Sequence, residues 1–154
     1  MNSSEVLAGI EIYAFVGPAG TGKSHRATHV AKQHGIDYII DDGLVISRGR
    51  ILAGRSAKSE INRLRAIKRA IFEYPEHRDE VVIYLIKHTP KKLMILATST
   101  GMIDKITARL GLNSPVRTIE ITEISTQEEI NAALRERREK KTACSPRSQS
   151  SNSA

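Results

Sequence analysis

The chain is poor in residues that form disulfides or stack on bases. It has one cysteine, Cys144, no tryptophan, two phenylalanines and four tyrosines among 154 residues. A single cysteine excludes an intrachain disulfide and a metal cluster built on cysteines. Few aromatic side chains are available to stack on single-stranded nucleic acid, so nucleic-acid binding has weak support.

A secretory leader and a long apolar run are also missing. A leader needs a basic start and an unbroken apolar stretch, but the first 20 residues contain no basic residue, and Glu11 interrupts their apolar stretch. No apolar run approaches the roughly 20 residues that a membrane-spanning helix needs. We therefore expect a cytoplasmic protein with no membrane partner.

Positive charge is present but unevenly distributed. The net charge is +7, residues 48–78 hold nine Lys or Arg against three acids, and residues 135–154 hold six against two. The rest of the chain is therefore slightly acidic. The basic segments are candidate contacts for a nucleotide, a nucleic acid or a partner protein, or they are simply solvated.

The most specific feature of the chain is a complete phosphate-binding motif. Backbone N–H groups in such a loop surround the β-phosphate, its lysine reaches the β- and γ-phosphates, and its serine hydroxyl ligates Mg²⁺. The chain lacks the N-K-x-D motif of GTPases, so we expect ATP and Mg²⁺ as the cofactors. The motif G-x-x-x-x-G-K-[ST] consists of Gly17, Pro18, Ala19, Gly20, Thr21, Gly22, Lys23 and Ser24.

Strand and helix patterns alternate around this motif. Apolar strands that alternate with helices indicate an α/β protein, here a three-layer P-loop NTPase fold with a mainly parallel sheet covered by helices. The predicted strands are 10–16, 36–40, 44–46, 51–53, 93–97 and 116–121, and the predicted helices are 23–34, 60–72, 75–89, 102–110 and one that starts at Thr126.

The chain divides into three parts on its composition. We predict a flexible N-terminus over residues 1–8, a nucleotide-binding domain over residues 9–140 and a disordered Ser-rich tail over residues 141–154. Within the domain, Ser59 is the predicted cap of the helix over 60–72. That helix carries an apolar stripe of Ile61, Leu64, Ile67 and Ile71, and basic residues occupy its other faces.

An adjacent pair of acids follows the second predicted strand. Mg²⁺ on a phosphate loop needs a carboxylate at the end of a separate strand, opposite the loop serine. Asp41 and Asp42 are the adjacent pair in that position, and one would organise Mg²⁺ while the other takes a proton from the attacking group. Spacing leaves these roles open, and an ordinary Asp-Asp-Gly turn is the alternative. We predict Ser24 and Asp42 as metal ligands and Lys23, Asp41 and Asp42 as catalytic groups.

Other polar residues allow two interpretations each. Thr98, Ser99 and Thr100 either sense the γ-phosphate or cap the next helix. His25 and His29 have metal-ligand spacing, but surface positions on a helix are the better interpretation. A group of arginines either closes over the phosphates or forms a solvated basic face: Arg48, Arg50, Arg55, Arg63 and Arg65.

The order of phosphate loop, helix, strand and double aspartate resembles the HPr kinase/phosphorylase family and its phosphoenolpyruvate carboxykinase relatives. The resemblance covers residues 10–55 and includes the motif, Asp41, Asp42 and the hairpin that follows them. It implies that the acids act as Mg²⁺ ligand and as proton acceptor for a protein serine that is phosphorylated. The family's further histidine and arginine motifs are not recognisable. The chain is also similar to small bacterial ATP-binding P-loop proteins, which implies nucleotide binding.

These observations predict that the protein binds Mg-ATP and acts as a kinase-like phosphotransferase or an ATPase. The first alternative is an ATP-dependent switch with little catalysis, which holds a partner through its basic helix or its basic C-terminal segment. The second alternative is an ATPase associated with nucleic acid. The sequence leaves the acceptor substrate open.

Overall fold

The computed structural model describes residues 3–18 and 23–121. Helices and strands alternate along these residues, as the sequence predicts. The helices are α1 Ser3–Ala8, α2 Lys23–Gln33, α3 Arg63–Ala70, α4 Pro75–His88 and α5 Thr100–Leu110, with a short 3₁₀ helix at Ala57–Ser59. The strands are β1 Glu11–Val16, β2 Tyr38–Asp41, β3 Leu44–Ser47, β4 Arg50–Gly54, β5 Lys92–Ala97 and β6 Val116–Glu120.

The described strands form one six-stranded sheet in the order β4-β3-β2-β5-β1-β6. β1 pairs in parallel with both β5 and β6, and β2 pairs in parallel with β5. β3 and β4 extend the sheet beyond β2 with antiparallel pairing. The prediction of an α/β protein with a mainly parallel sheet is therefore confirmed.

Helices pack on both faces of the central strands β1 and β5, which are apolar after their first residues, Glu11 and Lys92. Ile12, Ala14 and Val16 of β1 join one core with residues of α4 and α5. Tyr13 and Phe15 are equally buried but belong to the opposite face, because successive side chains of a strand alternate. On that face α2 packs against β1 and β5.

Two tight turns form the antiparallel edge of the sheet. Asp42 and Gly43 join β2 to β3, Arg48 and Gly49 join β3 to β4, and the four residues have φ of 56°, 87°, 52° and 78°. Two central residues with positive φ are what a type I′ hairpin turn requires, and its twist matches that of the paired strands. The β3–β4 hairpin predicted after the acid pair is confirmed, and the turn between β2 and β3 contains Asp42, one of the two acids.

The helix predicted over residues 60–72 is shorter than expected. α3 begins after Asn62, whose Oδ1 accepts a hydrogen bond from the backbone N of Arg65 at 2.8 Å. Ser59 lies at the end of the 3₁₀ helix, where its Oγ donates to the Ser56 carbonyl at 2.7 Å. The predicted cap at Ser59 is therefore wrong: Asn62 is an equally good cap, and Ser59 already belongs to the preceding turn.

Some sequence predictions concern the ends of the chain. Residues 1–8 are predicted to be flexible, and the structure has α1 there, with the Leu7 side chain buried in the core. The predicted disordered tail over residues 141–154 and the predicted helix from Thr126 lie outside the described residues. A helix with the length and apolarity of a membrane span is not found in the described part of the chain.

Candidate nucleotide-binding site

The two described ends of the phosphate motif lie between β1 and α2. The backbone N of Gly17 donates to the Ala97 carbonyl at 3.1 Å, so parallel pairing with β5 continues one residue past β1. Lys23 is the first residue of α2, and its Nζ donates to the Pro18 carbonyl at 3.2 Å. The motif therefore has the strand and helix that a phosphate loop requires on either side. Residues 19–22 of the motif lie outside the described residues.

Ser24 and Asp41 are brought together at the carboxyl ends of β1 and β2. The Ser24 Oγ donates to Asp41 Oδ2 at 2.6 Å, although the two residues are 17 positions apart. A hydroxyl and a carboxylate are hard oxygen ligands of the kind that Mg²⁺ prefers. This donor set therefore fits the metal that the motif predicts, and Ser24 and Asp41 are the residues that would hold it.

The aspartate opposite Ser24 is Asp41, whereas the predicted ligand pair was Ser24 with Asp42. Asp41 is the last residue of β2, and Asp42 is the first residue of the hairpin turn, with a φ of 56°. Adjacent side chains of a strand point in opposite directions, so only one of two neighbouring acids can face the loop. The structure therefore places Asp41, rather than the predicted Asp42, against Ser24.

Lys23 lies in the same electrostatic environment as this pair. Partial burial lowers the pKa of the Lys23 ammonium, and the negative charge of Asp41 acts against that shift. A lysine that is partly desolvated gains more from a polyphosphate than a fully hydrated one, because its charge is less screened. The described end of the loop therefore carries a cation suited to phosphate oxygens.

Asp42 meets a different environment from Asp41. Burial, and secondarily the charge of Asp41, raise the pKa of the Asp42 carboxyl, while the Lys58 ammonium and backbone N–H oppose the shift. Its Oδ2 is out of contact with solvent and has no hydrogen-bond partner among the described residues. Neighbouring carboxyls whose environments differ can divide acid and base roles between them. The environments of Asp41 and Asp42 therefore differ in burial and in hydrogen bonding.

The turn that contains Asp42 is held by a buried histidine that sequence reasoning missed. His77 of α4 is 1% exposed, and its Nε2 lies 2.7 Å from the Gly43 carbonyl, to which it donates. Its ring stacks on Phe72, with ring centroids 4.7 Å apart. A helical pattern contains the signal for this position, because His77 precedes Val81 and Leu85 at four-residue spacing and all three are buried.

Gly43 is closely surrounded by backbone. A Cβ at this position would lie 2.3 Å from the Arg55 carbonyl oxygen and 3.1 Å from the His77 ring. The backbone N of Arg55 also donates to the Gly43 carbonyl at 3.2 Å, and that of Ala57 donates to the Asp42 carbonyl at 2.8 Å. The segment after β4 therefore wraps over the turn and fixes the position of the acid pair.

The candidate arginines are distributed over different parts of the fold. Arg48 and Arg50 lie at the β3–β4 turn, at the sheet edge opposite the phosphate loop. Arg55 follows β4 at the same edge as the loop, with its Nε 4.0 Å from a Glu80 oxygen in an exposed pair. Arg63 and Arg65 are exposed at the start of α3. Among the five, the structure brings Arg55 nearest to the acid turn.

The remaining polar candidates have structural explanations. Ser99 is the N-cap of α5, and its Oγ accepts a hydrogen bond from Met102 N at 3.2 Å. This geometry agrees with the capping interpretation. His25 and His29 are exposed on α2, as the surface interpretation predicts.

Comparisons of the chain with protein-family models, with curated proteins and with solved structures gave no match. Its function is therefore inferred from its own residues.

Proposed function

We propose that this chain is a Mg-ATP-binding protein with a P-loop NTPase fold and a kinase-like or ATPase activity. The observation that carries the proposal is the 2.6 Å hydrogen bond between Ser24 Oγ and Asp41 Oδ2. It joins the last residue of a complete phosphate motif to an acid at the end of a different strand. This pairing is what Mg²⁺ coordination in P-loop NTPases requires.

The sheet topology supports the same location for the ligand. β1 lies between two parallel neighbours, and the helices that follow β1 and β5 pack on opposite faces. Open α/β sheets bind ligands outside the carboxyl ends of the strands at such a switch point. The motif follows β1 and the acid pair ends β2, so both lie at that edge.

The roles of the residues follow from their positions. Lys23 would contact the β- and γ-phosphates, and Ser24 and Asp41 would hold Mg²⁺, which neutralises charge on the phosphate oxygens when bound. Asp42 would take the proton of an acceptor hydroxyl or of water. The acceptor oxygen then bonds to the γ-phosphorus as the bond to the β–γ bridging oxygen breaks, so that ADP leaves. The kinase-like resemblance makes a hydroxyl-bearing acceptor the first class to assay.

A nucleotide-dependent interaction protein with little catalysis is the second candidate. It is favoured by an exposed apolar and basic face of α3, which lies beside the acid turn and is described in the next subsection. In that case ATP would bind and partner affinity would change with nucleotide, while turnover would stay near the uncatalysed rate.

Asparagine substitutions separate the roles of the two acids. We expect Asp41→Asn to remove most of the Mg²⁺ dependence of ATP affinity, a loss of about 10-fold or more, because a metal ligand is lost. Asp42→Asn should keep ATP affinity and lower turnover by about 100-fold or more, because the proton acceptor is lost. Titration calorimetry across Mg²⁺ concentrations and phosphate-release assays measure the two effects.

Asp79→Asn, at an exposed site on α4, is the matched control and should change neither quantity. ATP affinity that is independent of Mg²⁺ in the parent protein would contradict the proposed metal site. Binding without turnover in the parent would favour the second candidate over the first.

A further inference from the structure

The apolar stripe of α3 faces solvent. Ile61 is 82% exposed, Leu64 62% and Ile67 50%, although helical spacing would normally place such residues against a core. Ile71, the fourth residue of the predicted stripe, is the one that is buried. Three neighbouring exposed aliphatic side chains on one short segment form a patch, whereas single exposed ones are ordinary. The α3 face is defined by Leu64 and Ile67 of α3 together with Ile61, which lies two residues before the helix.

Cations that form no ion pair with another described residue border the α3 face. Arg63 lies four residues before Ile67, and Lys68 four residues after Leu64, so each neighbours the stripe along the helix. Neither they nor Arg65 forms an ion pair with another described residue, unlike Arg69, whose Nε is 2.7 Å from a Glu60 oxygen in a mostly buried pair. The border therefore carries positive charge that the described part of the protein does not neutralise.

Two of these cations lie where positive charge destabilises a helix. Arg63 and Arg65 occupy the first turn of α3, which has no acidic residue. The N-terminus of a helix carries partial positive charge and is stabilised by acids rather than by arginines. Residues that destabilise their own helix without a compensating contact are expected at functional surfaces.

The helix that carries the α3 face packs next to the candidate site. The 3₁₀ helix before α3 is bonded to the acid turn through Ala57 N and the Asp42 carbonyl, 2.8 Å apart. The C-terminal part of α3 also approaches this turn, because a Cβ on Gly43 would lie 3.4 Å from the Arg69 carbonyl oxygen. The same helix therefore packs on the acid turn and presents Leu64 and Ile67 to solvent.

We infer that the α3 face binds an acidic, amphipathic segment of a partner protein. Charge complementarity identifies this occupant, because the aliphatic stripe needs apolar side chains and its border needs carboxylates. A second copy of the chain would place Arg63 and Lys68 against their own equivalents. The basic residues 135–154 of the same chain would meet the same repulsion.

Two other classes of occupant fit the α3 face less well. Nucleic acid would leave the aliphatic stripe unused, and α3 has no aromatic side chain on which a base could stack. A membrane surface is poorly matched by a helix of eight residues that carries Leu64 and Ile67 and has no interfacial aromatic residue. The small patch predicts a transient interface rather than a permanent one.

A binding assay with nucleotide-free full-length protein tests this inference independently of ATP binding. The probe is a fluorescein-labelled synthetic helix with leucines along one face and glutamates beside them, and a second probe replaces the glutamates with lysines. Fluorescence anisotropy should show micromolar affinity for the acidic probe and at least about 10-fold weaker affinity for the basic one.

Three variants make the assay specific. Leu64→Ser and Arg63→Glu should each weaken the acidic probe by at least about 10-fold, and Arg63→Glu should at the same time raise the melting temperature, since it places an acid in the first turn. Ile83→Ser is the matched control, because Ile83 is 64% exposed on α4, and it should change nothing.

Equal binding of the two probes, or weakening by Ile83→Ser equal to that by Leu64→Ser, would overturn the inference. It would also be overturned by a parent dimer in sedimentation that Leu64→Ser dissociates. Binding of the parent to phosphatidylserine vesicles or to RNA in preference to the acidic probe would assign the α3 face to those ligands instead.

Discussion

Asp41 and Asp42 are neighbours in the chain, but their side chains meet different surroundings. Asp41 accepts a hydrogen bond from Ser24, while Asp42 is partly buried in a turn with an oxygen that has no partner among the described residues. The sequence predicts that an acid pair lies at this edge. Which acid faces the loop depends on the residue at which β2 ends, and strand ends are set by pairing with β3 rather than by local composition.

His77 is a second residue whose contacts the sequence pattern does not predict. It is a polar residue at a core position of α4, and it is placed there by the carbonyl of a turn 34 positions away. A hydrophobicity pattern marks the position as buried but does not identify its partner. The partner follows only from the packing of α4 over the hairpin.

The buried ring of His77 predicts a pH-dependent stability. Burial lowers its pKa, with further lowering by Arg69 and Arg55, while the Gly43 hydrogen bond and Glu80 act in the other direction. The unfolded chain therefore binds more protons as the pH falls below the ordinary histidine value of about 6.5, and the free energy of unfolding decreases there. Above that pH His77 contributes fully to the free energy of unfolding.

We expect His77→Phe to lower the free energy of unfolding by about 1–2 kcal/mol at pH 8, because the donor to the Gly43 carbonyl is lost. The gap between parent and variant should narrow as the pH falls from 7 to 5, since phenylalanine does not titrate. Urea unfolding at several pH values measures this difference in the free energy of unfolding. His29→Phe, on the surface of α2, is the control. Curves for parent and His77→Phe that stay parallel over this range would contradict the account.

At the scale of elements, the two hairpin turns look alike in sequence and differ in their surroundings. Each pairs a non-glycine residue with a glycine, and in each both residues have positive φ. Gly43 is enclosed by the segment after β4 and by α4, whereas an added Cβ at Gly49 would meet nothing within 4 Å. Of these two turns, only the first contains a candidate catalytic residue, Asp42, and only the first is enclosed by neighbouring segments.

Alanine substitutions distinguish the enclosed turn at Gly43 from the open turn at Gly49. Gly43→Ala should destabilise the protein by about 3 kcal/mol or more, because a Cβ 2.3 Å from the Arg55 carbonyl oxygen forces the backbone to move. Gly49→Ala has the same positive φ without the clash and should lower stability by about 1 kcal/mol. Thermal or urea unfolding compares them directly, and equal losses would mean that the turn at Gly43 is not enclosed as described.

The start of α3 illustrates why element boundaries are harder to predict than elements. Ser59 and Asn62 are both favourable caps, and the choice between them depends on the 3₁₀ helix that packs on the acid turn. The apolar stripe of α3 indicates a helix correctly. Periodicity alone does not indicate whether a stripe meets a core or faces solvent.

At the scale of the molecule, the sequence predicts the α/β class and the positions of the described strands. Strands such as β5 are recognised because they are apolar along their length, as burial on both faces requires. The order of strands in the sheet cannot be predicted from the sequence of each strand, because it depends on which face of the sheet each connecting helix crosses. The contact between Ser24 and Asp41 depends on that order, because β5 lies between their two strands.

In the proposed function, the motif at residues 17–24 binds the phosphates of ATP through Lys23. Titration calorimetry with ATP and excess Mg²⁺ tests it on the parent, on Lys23→Ala and on Lys32→Ala, an exposed lysine of the same helix. The parent and Lys32→Ala should bind with equal affinity, and Lys23→Ala should bind at least about 10-fold more weakly, since charged hydrogen bonds to phosphate are lost. Equal affinities for the parent and Lys23→Ala, or no binding by the parent, would contradict the claim.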